Sequence, residues 1–254
     1  LFFAMAGTVF LQAQYLQFVL RYTPLAAGFA LVPAALGMLV GTGVGAHMAS
    51  ALGGRAAVAT GTFVAAMGIA TQAAFADGTS YIPTGLGLLL FGLGAGIAMA
   101  PATDLIMATL PTARAGVGSA VNDTVRELGG ALGVAAIGSI AATRYASTMR
   151  ARAAHVPGMT GTELRLVSDN VGAALEFSHH VGTAGNDVAA LARSAFVDAM
   201  STSLWVAVGV TLLATVVALV YLPRPARSTD GAPTECGPDA RSTEAAEAHT
   251  GAGI

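Results

Sequence analysis

Lysine is missing from this chain: all 12 basic residues are arginine. That excludes a Walker A loop, which needs a lysine on its phosphates, and Schiff-base catalysis, which needs a lysine amine. Cysteine occurs once, at Cys236, so neither an internal disulfide nor a cysteine metal cluster can form. Charge of both signs is scarce. Charged residues make up 10% of the 254, whereas a soluble globular domain carries about a quarter. So few charges cannot cover a water-facing surface, which points to a membrane protein. The net charge of -2 argues against nucleic acid as a partner. The apolar run at Leu1 has no charged segment before it, so it does not read as a signal peptide. The sequence reads as the C-terminal part of a longer polypeptide.

What the chain does have is hydrophobic length, with 54% hydrophobic residues. Six segments are apolar over the roughly 20 residues that span a bilayer as a helix. They run over 1–20, 26–50, 56–76, 83–109, 115–142 and 197–222. They lack strand-like alternation, and in lipid a helix satisfies its own backbone. The first five are joined by the short turns RYTPL, ALGGR, ADGTSYIP and PTARAG, which predict antiparallel neighbours. The expected fold is therefore an all-α integral membrane bundle of six transmembrane helices.

Small residues recur where helices would touch. Gly37, Gly41 and Gly45 are four apart, as are Gly92 and Gly96, and Gly129 and Gly133; Gly54, Gly61 and Gly68 are seven apart. Such spacings fall on one helix face and let backbones approach. Close packing accounts for them, and smooth faces also let helices slide. Pro33 and Pro101 lie inside spans, where each removes a backbone hydrogen bond and is expected to kink its helix.

Residues 143–196 break the pattern with Arg144, Arg150, Arg152, Glu163, Asp169, Glu176, His179 and His180. They read as a long solvated loop. Its last part, NDVAALARSAFVDAM, has helical spacing at Val188, Leu191, Ala195 and Met200, and predicts an amphipathic helix on the membrane surface. The tail 223–254 is rich in Pro, Ser, Thr, Glu and Ala and reads as disordered. Arginine is shared almost evenly between the two faces, so charge alone does not orient the chain.

The stretches APATDLIMATLP (100–111) and AGVGSAVNDTVRELGGALGVAAIGS (115–139) resemble the paired signature of a known family. It is the fourteen-span drug:proton antiporters of the major facilitator superfamily, the multidrug efflux type active on quaternary ammonium compounds. FLQAQYLQFVLRYTPLAAGFALVPAALG (10–37) resembles the same family's first spans after its midpoint. The resemblance covers residues 1–145 and the final span. It implies the C-terminal half of a major facilitator fold, two three-helix inverted repeats. It puts both chain ends in the cytoplasm and 143–196 outside. It implies a multi-pass protein of the plasma membrane that exports amphipathic, often cationic, drugs against protons by alternating access. The partners implied are those substrates, protons, the lipid bilayer and the N-terminal half, which would carry the main coupling acids. One departure stands out. GAHMASALGGR (45–55) keeps Gly45, Gly53 and Arg55 of the family's loop motif but has Ala49 and Ser50 where charge is expected.

Ionisable groups inside spans are the candidate site. Asp123, Arg126 and Glu127 stand three and four apart, on one helix face. They form either an ion pair locking the helix entry or a functional cluster facing the bundle interior. Two acids with one arginine leave one negative charge over, able to hold a proton or attract a cation. Glu127 lies deepest and is the preferred coupling residue, with Asp123 beside it and Arg126 as the structural partner. Asp104, one turn after Pro101, either faces the same cavity or caps the local break. Gln14 and Gln17 share a face and either line the path or bond between helices; Gln12 is a third uncharged polar group. Met38, Phe91, Met99 and Met107 are candidate adaptable walls. His47 reads as interfacial, and the adjacent His179 and His180 lack a third ligand at metal spacing. No cofactor and no metal are expected.

Two other classes compete. An intramembrane enzyme would need a nucleophile with its base; Ser119 and Ser139 are present, but no GxSxG, HExxH or paired-aspartate motif is. A membrane scaffold would explain the glycines but not three ionisable residues in a span. Within transporters, the alternative is a narrow-specificity metabolite exporter.

Overall fold

The computed structural model describes residues 1–75, 80–108, 111, 115–154, 159–180 and 183–222. The tail read as disordered lies outside them. The elements are helical throughout the described residues. Among the described residues, six helical stretches are long and apolar enough to cross a membrane.

The first span is α1 (Phe2–Gln14), continued by a π-helical turn, Tyr15–Val19. The second is broken into α2 (Pro24–Ala30) and α3 (Val32–Leu52). Pro33 is the cause: it has no N–H to give the carbonyl one turn back, and Ala34 donates to Leu31 instead. The Ala30 carbonyl accepts from the Tyr81 hydroxyl at 2.6 Å. Burial and the neighbouring Tyr22 push the Tyr81 hydroxyl above its ordinary pKa. The third span is α4 (Gly54–Phe75) and the fourth α5 (Ile82–Met107). Helix α5 passes through Pro101 without breaking. Between α3 and α4 the chain turns at Gly53, whose φ of 88° suits glycine.

The segment read as a loop differs most from expectation. Helix α6 runs Ala115–Ala153 and α9 runs Thr183–Tyr221, each 39 residues. Residues 143–153 therefore continue the fifth span, and 183–196 lead into the sixth without interruption. At 1.5 Å per residue each helix is about 58 Å long, nearly twice the roughly 30 Å of a hydrocarbon core. The charged halves must project beyond it. The amphipathic segment 186–200 is thus an upright extension of α9, with Val188, Ala192, Ala195 and Phe196 buried against the bundle. Two short helices, α7 (Gly161–Asp169) and α8 (Val171–Ser178), bridge the projecting ends. Thr160 and Glu163 form a capping box that starts α7, and the bonds from Thr160 hold the Glu163 carboxyl below its ordinary pKa. Arg152 joins α6 to α9 through Asp198 at 2.5 Å and Ser194 at 3.0 Å. Tyr145 donates to the Val167 carbonyl, tying α6 to α7.

The helices pair α1 with α6, α3 with α5, and α4 with α9. Helix α4 also packs on α5 and α3, and α9 on α1 and α6. Exchanging the first three spans with the last three maps this pattern onto itself, as an inverted repeat requires. Glycines make the closest approaches. Gly37, Gly41 and Gly45 of α3 face the α5 backbone at Leu89, Leu93 and Ile97, while Gly92 and Gly96 face Ala34 and Met38. Gly61 and Gly68 bring α4 onto the other side of α5. Helix α5 is thereby clamped from both sides. Gly54 meets the Leu105 side chain. Gly133 sits on the Phe3 backbone, whereas a side chain at Gly129 would make only ordinary contact at 3.4 Å.

Candidate functional site

The polar head of α6 opens onto a cavity of about 550 Å³ lined by Phe2, Met5 and Ala6 of α1, Met99 of α5, and Asp123, Arg126, Glu127 and Gly130 of α6. Helical spacing explains the arrangement. Asp123, Glu127 and Gly130 lie on one side of α6, toward α1, while Val121, Val125, Leu128 and Leu132 lie on the opposite side and are exposed. The aliphatic stripe suits lipid. The charged stripe does not: an ionised side chain in hydrocarbon costs about 2.5–3.5 kcal/mol on insertion scales.

Arg126 is held from two directions. Its guanidinium lies 3.8 Å from the Asp123 carboxylate and 4.7 Å above the Phe2 ring. Such a long, half-exposed ion pair is worth about 0.2–1 kcal/mol, and the ring adds a cation–π contact of similar size. Glu127 is exposed to the cavity and has no ion-pair partner among the described residues. Of the two acids on this face, Asp123 is the one that meets the arginine.

The other sequence-derived residues separate into groups. Met99 joins the cluster; Asp104 and Met107 do not line it. Asp104 is exposed near the end of α5, where its carbonyl accepts from Ala108. Gln14 lines a different pocket, at the α7–α8 end of the bundle. Gln17 is exposed and donates to the Ala13 carbonyl. Phe91 is buried in the core, and Met38 lies where α3 meets Gly96. His47 is exposed on α3, and His179 and His180 lie in the turn after α8. Among the described residues no metal-ligating cluster forms.

Sequence reasoning missed Phe2, Met5, Ala6 and Gly130. The signal was available: Phe2 and Ala6 are four apart on the helix that pairs with α6. It also missed two structural ties. Arg55 donates to the Leu219 carbonyl near the end of α9, which gives this residue of the degraded loop motif a helix-capping role. Thr62 and Thr215 bond at 2.9 Å in the buried α4–α9 contact. Thr8 and Gln12 are fully buried on α1, and their side-chain polar atoms have no hydrogen-bond partner among the described residues. Such groups are uncommon and costly.

Residues 1–134 match the sequence model of the Major Facilitator Superfamily. The chain is similar to the multidrug resistance protein Stp of Mycobacterium tuberculosis, 25% identical over 257 residues, covering 98% of this chain and 47% of Stp. The multidrug efflux pump LfrA of Mycolicibacterium smegmatis is 31% identical over 156 residues, 61% of this chain and 31% of LfrA. The tetracenomycin C resistance and export protein of Streptomyces glaucescens is 27% identical over 237 residues, 92% of this chain and 44% of that protein. The chain spans about half the length, or less, of the relatives it matches. With six apolar helices and such relatives, it is a multi-pass protein of the cell membrane. By its family match over more than half its length, paired helices and relatives, the chain belongs to the Major Facilitator Superfamily.

Proposed function

We propose that the chain is the C-terminal half of a proton-coupled exporter of amphipathic or cationic drugs, working by alternating access. The observation that carries this reading is the one cavity in which Asp123, Arg126 and Glu127 meet Phe2, Met5 and Met99. An acid without a partner can hold a proton or face a cation, but not both at full strength. A proton reaching Glu127 removes the charge that attracts the cation, and its departure restores it. That exchange is antiport in its simplest form. Arg126, held over Phe2, keeps the second acid compensated. Methionine and aromatic walls give adaptable contact to unlike apolar bodies. The N-terminal half covers the open side of the cavity and supplies the main coupling acids. By the family resemblance, the ends of the chain are cytoplasmic and α7 and α8 lie outside, in a fourteen-span protein.

The names of Stp and LfrA, for multidrug resistance and efflux, support a broad substrate range. A second reading is a narrow-specificity exporter, favoured by the Streptomyces relative, whose name gives one compound. The full-length transporter, expressed in a drug-sensitive host without pumps of its own, separates the two. Ethidium efflux that collapses on adding a protonophore is the expected result. No efflux of any organic cation, with export of a single metabolite, supports the second reading instead.

A further inference from the structure

The turn between the first two spans brings two arginines together where the apolar stretches end. The first span closes at Val19 and the second begins at Pro24, so Arg21 stands at the membrane boundary. This is the α7–α8 side, since Gly172 of α8 lies against the Phe18 ring. Arg193 comes from the projecting part of α9. Its Nε donates to the Phe18 carbonyl at 3.3 Å, which holds the guanidinium at the depth of the span's end. Arg21 is near enough for the two charges to repel. Neither arginine meets a carboxylate among the described residues, and Asp198, the next acid along α9, is taken by Arg152. Arg21 also has a φ of 58°, a left-handed conformation that glycine or asparagine adopts at less cost. A cationic side chain stands there in spite of that cost.

Two like charges at one depth, with no acid between them, suit an anion, and the guanidinium fork matches a phosphate. The surroundings give the source of that phosphate. The headgroups of a bilayer lie at the ends of the apolar spans. The rings of Tyr22 and Tyr81 stand 6.3 Å apart at the same end, where aromatic residues gather at headgroup level. Directly after the turn, Leu25 and Phe29 lie four apart on one side of α2 and are 73% and 68% exposed. They offer an apolar wall to an acyl chain, for which a free phosphate has no use.

We propose that Arg21 and Arg193 bind the phosphate of a phospholipid in the leaflet on the α7–α8 side, with an acyl chain lying along Leu25 and Phe29. The site goes beyond the exporter reading, because binding requires no transport. The test uses the purified full-length transporter in an uncharged detergent, with ligand retention read by native mass spectrometry. Three probes are compared at equal concentration: phosphatidylglycerol, an uncharged galactolipid with the same acyl chains, and inorganic phosphate. Phosphatidylglycerol should be retained most tightly. Arg21→Gln should weaken its binding roughly three- to tenfold, the size of one charge-assisted contact at a half-exposed site. Arg21→Lys should keep part of the affinity, and Arg144→Gln, at an exposed arginine of α6, should leave it unchanged. Arg193→Gln also removes the bond to Phe18, so Arg21→Gln is the deciding variant. A galactolipid held as tightly as phosphatidylglycerol, or phosphatidylglycerol binding unchanged in Arg21→Gln, would overturn the proposal. So would inorganic phosphate bound as tightly as the lipid. None of these readouts depends on efflux, so the exporter reading stands or falls separately.

Discussion

Replacing Glu127 with glutamine lowers proton-driven ethidium efflux by the full-length transporter roughly tenfold or more, while expression and membrane insertion stay normal. A tenfold loss corresponds to about 1.4 kcal/mol, less than the cost of holding a charge in a span without purpose. The change keeps the shape and hydrogen-bonding reach of the side chain and removes the titrating group. Glu127 has no ion-pair partner among the described residues, so no local bridge is broken. Asp123→Asn should do less, because its ion pair with Arg126 is long and half-exposed and the Phe2 ring still holds the guanidinium. Glu127→Asp separates charge from geometry: activity retained in part points to the proton, whereas total loss points to position. Efflux unchanged in Glu127→Gln returns the residue to a purely structural role.

The second large effect is on folding. Gly92→Leu should prevent accumulation of folded protein, and Gly92→Ala should lower its melting temperature markedly. A Cβ at Gly92 would lie far inside contact distance of the Ala34 carbonyl and backbone. Backbone cannot swing aside as a flexible side chain can. The α3 and α5 helices must separate along their length or α5 must bend, and overpacking of this kind costs about 1–3 kcal/mol or more. Gly43→Ala on α3 is the matched control, since nothing lies within 4 Å of its added carbon. Equal melting temperatures for Gly92→Ala and Gly43→Ala would show that the α3–α5 contact is looser than the structure has it.

How much of this was written in the sequence follows from which signals are local. Hydrophobic length is local, so the first four spans were legible to within a few residues, whereas the fifth and sixth helices run well beyond their apolar stretches. The missing N–H of Pro33 is local, and the helix does break there. The face shared by Asp123, Arg126 and Glu127 is set by helical periodicity, and the cavity gathers all three. The stretch 143–196 misled because arginines at 144, 150 and 152 read as solvated chain. A helix leaving the membrane is solvated too, and SIAATRYASTMRARAA, 139–154, contains neither glycine nor proline to end it. The Thr160 and Glu163 spacing likewise announced a new helix start. The partition of Gln14 and Gln17 was not legible. Which helix lies across from α1, and where α8 folds over it, depends on contacts between residues far apart in the chain. The same holds for Arg193, which donates to the Phe18 carbonyl of the π-helical turn across 175 residues of sequence.

The measurement that bears most directly on the central claim uses the full-length transporter in proteoliposomes. An imposed pH gradient supplies the only driving force, and the movement of an organic cation against its own gradient is recorded beside Glu127→Gln. The account predicts uphill cation movement that requires the gradient, reverses when the gradient is reversed, and is largely lost in the variant. Cation movement that ignores the pH gradient, or that proceeds equally in Glu127→Gln, would contradict proton coupling through this cavity.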